Sequence, residues 1–145
     1  MIRKLDINNE TELKRVMTIW QEANIKAHDF IPKEYWISNY DIVKNEYIPN
    51  SDTYLYLKDD EIKGFISIVS EEYIGGLFVD INSQGNGIGK HLINYVKSKY
   101  SMLRLGVYKK NKRAVNFYDK MGFKIKSENI DEKTKEVECI MEFNK

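Results

Sequence analysis

One cysteine, Cys139, in 145 residues excludes an internal disulfide, a usage that suits a reducing compartment. That thiol and the two histidines, His28 and His91, show no metal-ligand spacing, so no metal is expected. No apolar stretch reaches the roughly 18 residues at which a membrane span is read. The opening Met-Ile-Arg-Lys-Leu-Asp has no apolar signal region. An excess of one charge is missing too: 23 Lys and Arg stand against 22 Asp and Glu, a net charge of +1. No bulk field therefore draws the chain to nucleic acid or to a membrane. The expected location is the cytoplasm. Repeats, low-complexity tracts and linkers are absent, and residues 1–145 read as one domain able to bury an ordinary core. The 42% hydrophobic and 31% charged residues place it among soluble globular chains.

Along the chain, Ile2–Asp6 reads as a short strand. Asn9 with Glu12 three residues on is a variant capping box, and Leu13, Val16, Met17, Trp20 and Ala23 keep helical spacing. His28-Asp29-Phe30-Ile31 breaks that helix. Pro32 suits the first turn of a second one, whose apolar stripe is Trp36, Tyr40, Val43 and Tyr47 and which Pro49 stops. Strands are expected at 53–58, 62–69, 73–79, 102–107, 123–128 and 136–143, with helices over 87–100 and from Asn111 to about Met121. The order β-α-α-β-β-β-α-β-α-β-β is mixed α/β around one central sheet.

What stands out is the junction of a strand and a helix. Leu77-Phe78-Val79 runs into Gln84-Gly85-Asn86-Gly87-Ile88-Gly89-Lys90. Glycines at every second position allow backbone conformations and close approaches that other residues block. The free amides and positive dipole end of the following helix favour an anion, above all a phosphate. A P-loop would need Gly at Gln84 and a hydroxyl at His91, and a dinucleotide fingerprint would need Gly at Lys90. Neither fits.

A second block follows the strand Met102–Val107: Asn111-Lys112-Arg113-Ala114-Val115-Asn116-Phe117-Tyr118-Asp119-Lys120-Met121-Gly122-Phe123. Asn111 can cap the helix, Ala114 and Tyr118 share a helical face, and Gly122 suits a left-handed C-terminal cap. Gln-x-x-Gly-x-Gly followed by Asn, Ala, Phe-Tyr and Gly-Phe resembles the signature pair of the GNAT (Gcn5-related N-acetyltransferase) superfamily, particularly its small bacterial acetyltransferases. The likeness is specific over roughly residues 72–125 and extends to the chain's length and element order. It implies the GNAT fold: a central mixed, mostly antiparallel sheet with a splay between strands 4 and 5, flanked by about four helices. Gly75-Gly76, unusual inside a strand, fits a bulge or splay there, or merely close packing.

The same resemblance implies acetyl transfer from acetyl-CoA, a cosubstrate, to an amine by direct attack in a ternary complex. Gln84 to Lys90, namely Gln84, Gly85, Asn86, Gly87, Ile88, Gly89 and Lys90, would hold the diphosphate. Main-chain groups of Leu77, Phe78 and Val79 would bind the pantetheine arm as an added strand. Asn111, Ala114 and Phe117 would line the donor site. Tyr118 matches the family tyrosine that protonates the departing thiolate, a role suited to a phenol of pKa about 10; as one of 10 tyrosines it could instead be core. Lys109, Lys110, Lys112 and Arg113 could meet the 3′-phosphate or simply form a solvated helix start.

The general base is unassigned. The family often places a carboxylate inside the third sheet strand to arrive after the second helix, yet Tyr73-Ile74-Gly75-Gly76 stands there, with Glu71 and Glu72 further out. His28, in a segment similar to Ala-His-Asp-Phe of some small bacterial members, could take an ammonium proton, wall the acceptor site, or cap its helix. Water relayed by Glu72 is a further alternative. Cys139 reads as core, not as an acetyl carrier, and no Ser or Cys nucleophile motif is present. A catalytically weak acyl-CoA-binding or regulatory module is the other reading. The acceptor, a small-molecule or peptide or protein amine, other acyl groups, and the choice of monomer or homodimer are not legible. Partners among nucleic acids and membranes are not expected.

Overall fold

A computed structural model describes residues 1–70 and 72–145. Seven strands form one sheet among these residues: β1 (Ile2–Lys4), β2 (Asp52–Lys58), β3 (Glu61–Val69), β4 (Tyr73–Val79), β5 (Met102–Tyr108), β6 (Lys124–Ile130) and β7 (Val137–Asn144), in the order β1-β2-β3-β4-β5-β7-β6. All neighbours are antiparallel except β4 and β5. The helices are α1 (Glu10–Ala27), α2 (Lys33–Ile42), α3 (Ile88–Lys99) and α4 (Lys112–Lys120).

In α1, α3 and α4 the sequence supplies apolar residues on one face, an end signal, or both. Asn9 caps α1 by accepting from the Glu12 amide at 3.2 Å, and Glu12 in turn holds Arg3 through two contacts of 2.7 and 3.1 Å. Leu13, Val16, Met17 and Trp20 then bury one face. In α3, Ile88, Leu92, Ile93 and Val96 do the same. Asn111 caps α4, accepting from the Ala114 amide at 3.2 Å, and Gly122 closes it in the left-handed region at φ 95°. The Phe123 amide then donates to the Tyr118 carbonyl at 2.9 Å, which fixes the residue that matters most on this helix.

Two helices cover each face of the sheet. Residues of α1 and α2 pack with Leu55, Ile62 and Phe65 on one side; those of α3 and α4 pack with Ile66, Ile68, Leu103, Leu105 and Met141 on the other. Cys139 is buried in this second core, as packing. Leu92 is fully buried, and truncating such a residue to Ala removes about 2–5 kcal/mol.

Two boundaries differ from the sequence reading for a clear physical reason. The first strand ends at Lys4; Leu5 still donates to the Thr53 carbonyl at 2.8 Å, and the Asp6 carbonyl then turns to accept from the Asn9 amide at 3.0 Å. The second helix loses its α-helical register at Val43, where a π-helical turn spans Val43–Tyr47. Tyr47 is thereby rotated out of the stripe and is 54% exposed.

The opening that positions the site lies between β4 and β5. They pair only at Tyr73 with Arg104 and Ile74 with Leu105, and then part. The register against β3 passes from Ile74–Ile68 to Gly76–Ser67, so Gly75 is the extra residue of a bulge. A Cβ on Gly75 would lie 3.0 Å from Val69 Cγ2, and one on Gly76 would meet the Phe78 ring that lies over it. Both glycines are therefore closely packed at the bend itself, and a side chain at either would have to displace Val69 or Phe78. Beyond it, the backbone of Gly75–Val79 has no ladder partner on the β5 side.

Candidate active site

A cleft of about 650 Å³ occupies the splay, within the ~300–1,000 Å³ usual for small-ligand sites. One end is the glycine loop. Asp80, buried at the end of β4, binds Arg15 of α1 at 3.0 Å, and the Ser83 amide donates to the Asp80 carbonyl at 2.8 Å. Gln84 donates through Nε2 to the Val79 carbonyl at 3.2 Å and accepts from Lys26 Nζ at 3.1 Å. The loop is thus tied to β4 and α1 by side chains, which leaves its amides free.

Gly85 and Gly87 sit at φ 85° and 80°, and a Cβ on either would meet nothing within 4 Å. Bare backbone at the start of a 12-residue helix, open on one side, has the form in which a phosphate group can be held. Gly89 differs: its Cβ would lie 3.4 Å from the Phe117 ring, so this glycine serves the packing of α3 against α4. Lys26, bonded to Gln84, and Lys90 supply positive charge at this end of the cleft, and Arg113 also lines the cleft.

The helix α4 forms another wall with Asn111, Ala114, Phe117 and Tyr118. Tyr118 is 8% exposed and packed between Phe117 and Phe123, with ring centroids 5.2 and 5.6 Å away. Burial pushes its phenol well above the usual tyrosine range, so it stays protonated. Among the described residues no protein group hydrogen-bonds its hydroxyl, although the side chain lines the cleft.

His28 closes α1 and lines the cleft from the opposite side. Its backbone amide and Nδ1 both lie 3.0 Å from the Asn24 carbonyl, and Nε2 lies 3.3 Å from Asn111 Nδ2. Asn111 Oδ1 is already occupied as the α4 cap, so its Nδ2 donates to His28 Nε2 and the imidazole proton resides on Nδ1. The ring stacks on Trp36 at 5.1 Å, and burial holds its pKa below the usual histidine value, against the Asn24 bond.

The cleft gathers His28, Leu77, Phe78, Val79, Gln84, Gly85, Gly87, Ile88, Gly89, Lys90, Asn111, Ala114, Phe117 and Tyr118. Asn86 lies outside its lining and donates to the Ser83 carbonyl at 3.0 Å, holding the loop's own shape. Glu72 is absent from the lining and faces Arg104 at 3.8 Å, whereas Glu71 lies outside the described residues. Of the basic cluster only Arg113 reaches the cleft; Lys109 and Lys110 pair with Glu128 and Glu136 at 3.1 Å. His91 is exposed on α3, stacked on Tyr56.

Lys26, Tyr108 and Glu138 also line the cleft, and no motif marks them. Tyr108 donates to Asp131 Oδ2 at 2.9 Å. Glu138, on β7 opposite Tyr108, is half-buried; burial first, and then the charge of Asp131, raise its pKa above the usual glutamate range. Its alternation with buried Cys139 was the only sequence signal, and that pattern says nothing of the cleft. Among the described residues no group of three or more His, Cys, Asp or Glu could hold a metal ion. No helix there is long and apolar enough to cross a membrane.

This geometry has counterparts. The family profile described as an acetyltransferase (GNAT) domain matches residues 26–136. The peptidyl-lysine N-acetyltransferase YiaC of Escherichia coli (strain K12) is 34% identical over 115 residues, 79% of either chain. Its counterpart named YjaB in the same organism is 28% identical over 126 residues, 86% of this chain and 84% of that one. The solution structure of apo YjaB from Escherichia coli superposes with a TM-score of 0.84 at 25% identity, over 99% of this chain and 96% of that one. A PaiA N-acetyltransferase from Thermoplasma acidophilum, solved with coenzyme A, shares the fold at a TM-score of 0.79 and 22% identity, over 100% and 98%. The chain therefore belongs to the GNAT family as an N-acetyltransferase that draws its acetyl group from acetyl-CoA.

Proposed function

We propose that the protein acetylates the side-chain amine of lysine in peptides or proteins, by direct attack within a ternary complex. The observation that carries this reading is one continuous cleft joining a phosphate cradle to a buried, protonated tyrosine. The names of the relatives supply the acceptor class. Residues 1–145 act as one acetyltransferase domain.

In this reading the amides of Gly85 to Lys90 hold the diphosphate, with Lys26 and Arg113 adding charge at its edges. The unpaired edge of β4 at Leu77–Val79 takes the pantetheine amides as a further strand would. Tyr118 gives its proton to the departing sulfur. Among the described residues its hydroxyl has no competing protein acceptor, and the ring that bears it is buried. His28 walls the acceptor side and orients Asn111. The assay is direct: acetyl-CoA is mixed with peptides carrying one free lysine, one free α-amine or neither. Free thiol is followed with time and the acetylated atom is located by mass spectrometry. Turnover confined to the α-amine peptide, or to small amines alone, would overturn the lysine assignment.

A further inference from the structure

We propose that Glu138 is the general base of the reaction, taking the proton of the acceptor ammonium at the point where β4 and β5 part. The inference rests on the lysine-acetylating reading above and supplies the one role that reading lacks.

Four observations meet at this residue. Among the described residues, Glu138 carries the only carboxyl group that lines the cleft. It has no ion-pair or side-chain hydrogen-bond partner there, whereas Glu136 just before β7 and Glu142 on it face Lys110 and Arg104. Its carboxyl lies over Gly106, one residue beyond the last β4–β5 pairing. A Cβ at Gly106 would come within 2.8 Å of the Glu138 carboxyl and 3.0 Å of the Tyr73 hydroxyl, so the missing side chain is what lets both converge. Finally, Glu138 projects from the face of β7 opposite Cys139 and Met141, which pack in the core shared with Tyr118. A carboxylate on one side of the opening and a phenol on the other suit an attack from one side and a departure toward the other.

Charge divides the cleft in the same sense. Lys26, bonded to Gln84, and Lys90 lie at the glycine loop, and Glu138 stands at the splay. An anionic donor and a cationic acceptor are thereby drawn to different places. The groups facing Glu138 are Tyr108 and Gly106 of β5, Tyr73 of β4, Tyr35 of α2, Asn129 of β6 and Asp131 beyond it. None is cationic. The ammonium of an arriving lysine would be the first positive partner of a carboxylate set among tyrosine rings, a setting that favours a cation.

The step balances. The Glu138 carboxylate takes one proton from the ammonium and later yields it to solvent. The freed nitrogen forms the C–N bond to the acetyl carbon and the C–S bond breaks. Tyr118 protonates the sulfur and recovers a proton from the new amide nitrogen, so one proton is released per turnover.

The test compares wild type, Glu138→Gln and Glu138→Asp on a single-lysine peptide, with kcat/KM followed from acid to alkaline pH. Glu138→Gln should lower kcat/KM at pH 7 by roughly 10²–10⁴-fold, the usual contribution of a positioned base. Donor affinity by calorimetry should be unchanged. The acidic limb should move to the ionisation of the amine itself, about 10.4 for lysine. An alkoxyamine, already neutral at pH 7, should lose far less, which a merely structural role would not produce. If Glu138→Gln melts, Glu138→Asp must keep the limb at reduced rate. A variant within threefold of wild type and with an unmoved limb would overturn the assignment of Glu138 alone. A wild type that binds acetyl-CoA yet acetylates no amine would overturn the acetylation reading as well.

Discussion

Asn111 donates through Nδ2 to His28 Nε2 at 3.3 Å and accepts through Oδ1 from the Ala114 amide at 3.2 Å, so one side chain joins the end of α1 to the start of α4 across the cleft. The consequence for His28 is chemical. Its Nδ1 is committed to the Asn24 carbonyl and its Nε2 lone pair to Asn111, so it can accept a proton only by breaking the second bond. This geometry favours positioning over proton transfer. His28→Gln should raise the KM for the amine several-fold and leave the acidic limb of kcat/KM where wild type has it. Disappearance of that limb would restore His28 as the base.

The same burial has a thermodynamic signature. The folded pKa of His28 lies below the unfolded value of about 6.5. As pH falls through 6.5 toward the folded value, the unfolded chain takes up a proton that the native state refuses. Stability is therefore present above pH 6.5 and is lost on acidification, at up to about 1.4 kcal/mol per pH unit. Chemical unfolding between pH 7.5 and about 5 should show this slope in wild type and a shallower one in His28→Gln. Glu138, raised in pKa, acts in the opposite direction but is common to both and cancels in the difference.

The glycines of the loop should separate by function. Gly87→Ala puts a Cβ at φ 80°, with about 1–2 kcal/mol of strain, toward the open side where the diphosphate is expected. Donor affinity should fall more than tenfold in calorimetry, with the melting temperature lowered by only a few degrees. Gly89→Ala meets the Phe117 ring at 3.4 Å instead, and its affinity should stay within a few-fold of wild type. Equal losses in the two variants would contradict the cradle.

Tyr118→Phe removes a hydroxyl that has no protein hydrogen-bond partner among the described residues, so folding should hardly register it. Melting temperature and donor affinity should match wild type while kcat falls by roughly 10²–10⁴-fold. Near-full turnover in this variant would leave Tyr118 as packing alone.

Lys26 reaches Gln84 at 3.1 Å from the last turn of α1, where it both steadies the loop and lends charge to it. Lys26→Ala should weaken donor binding by less than tenfold at physiological salt. The deficit should shrink further as ionic strength rises and screening weakens the contribution of an exposed cation. A salt-independent deficit would point to loop shape alone.

Local sequence determined the parts of the protein whose physics is local. The Asn9 and Asn111 caps, the Gly122 stop, the alternation of β7 and the glycine loop opening α3 each depend on neighbours within a few residues, and each was legible. Motif order then carried Tyr118, the loop and the fold they belong to. Tertiary structure decided what depends on residues far apart in the chain. The pairing of His28 with Asn111 spans 83 residues, and the tie of Arg15 to Asp80 spans 65. Glu138 reaches the cleft only because β7 lies beside β5 and Gly106 leaves room above it. A glutamate alternating with buried residues looks the same in sequence whether its open side meets solvent or a cleft. Strand order and the bulge at Gly75 settle which, and neither is a property of the segment that carries the residue.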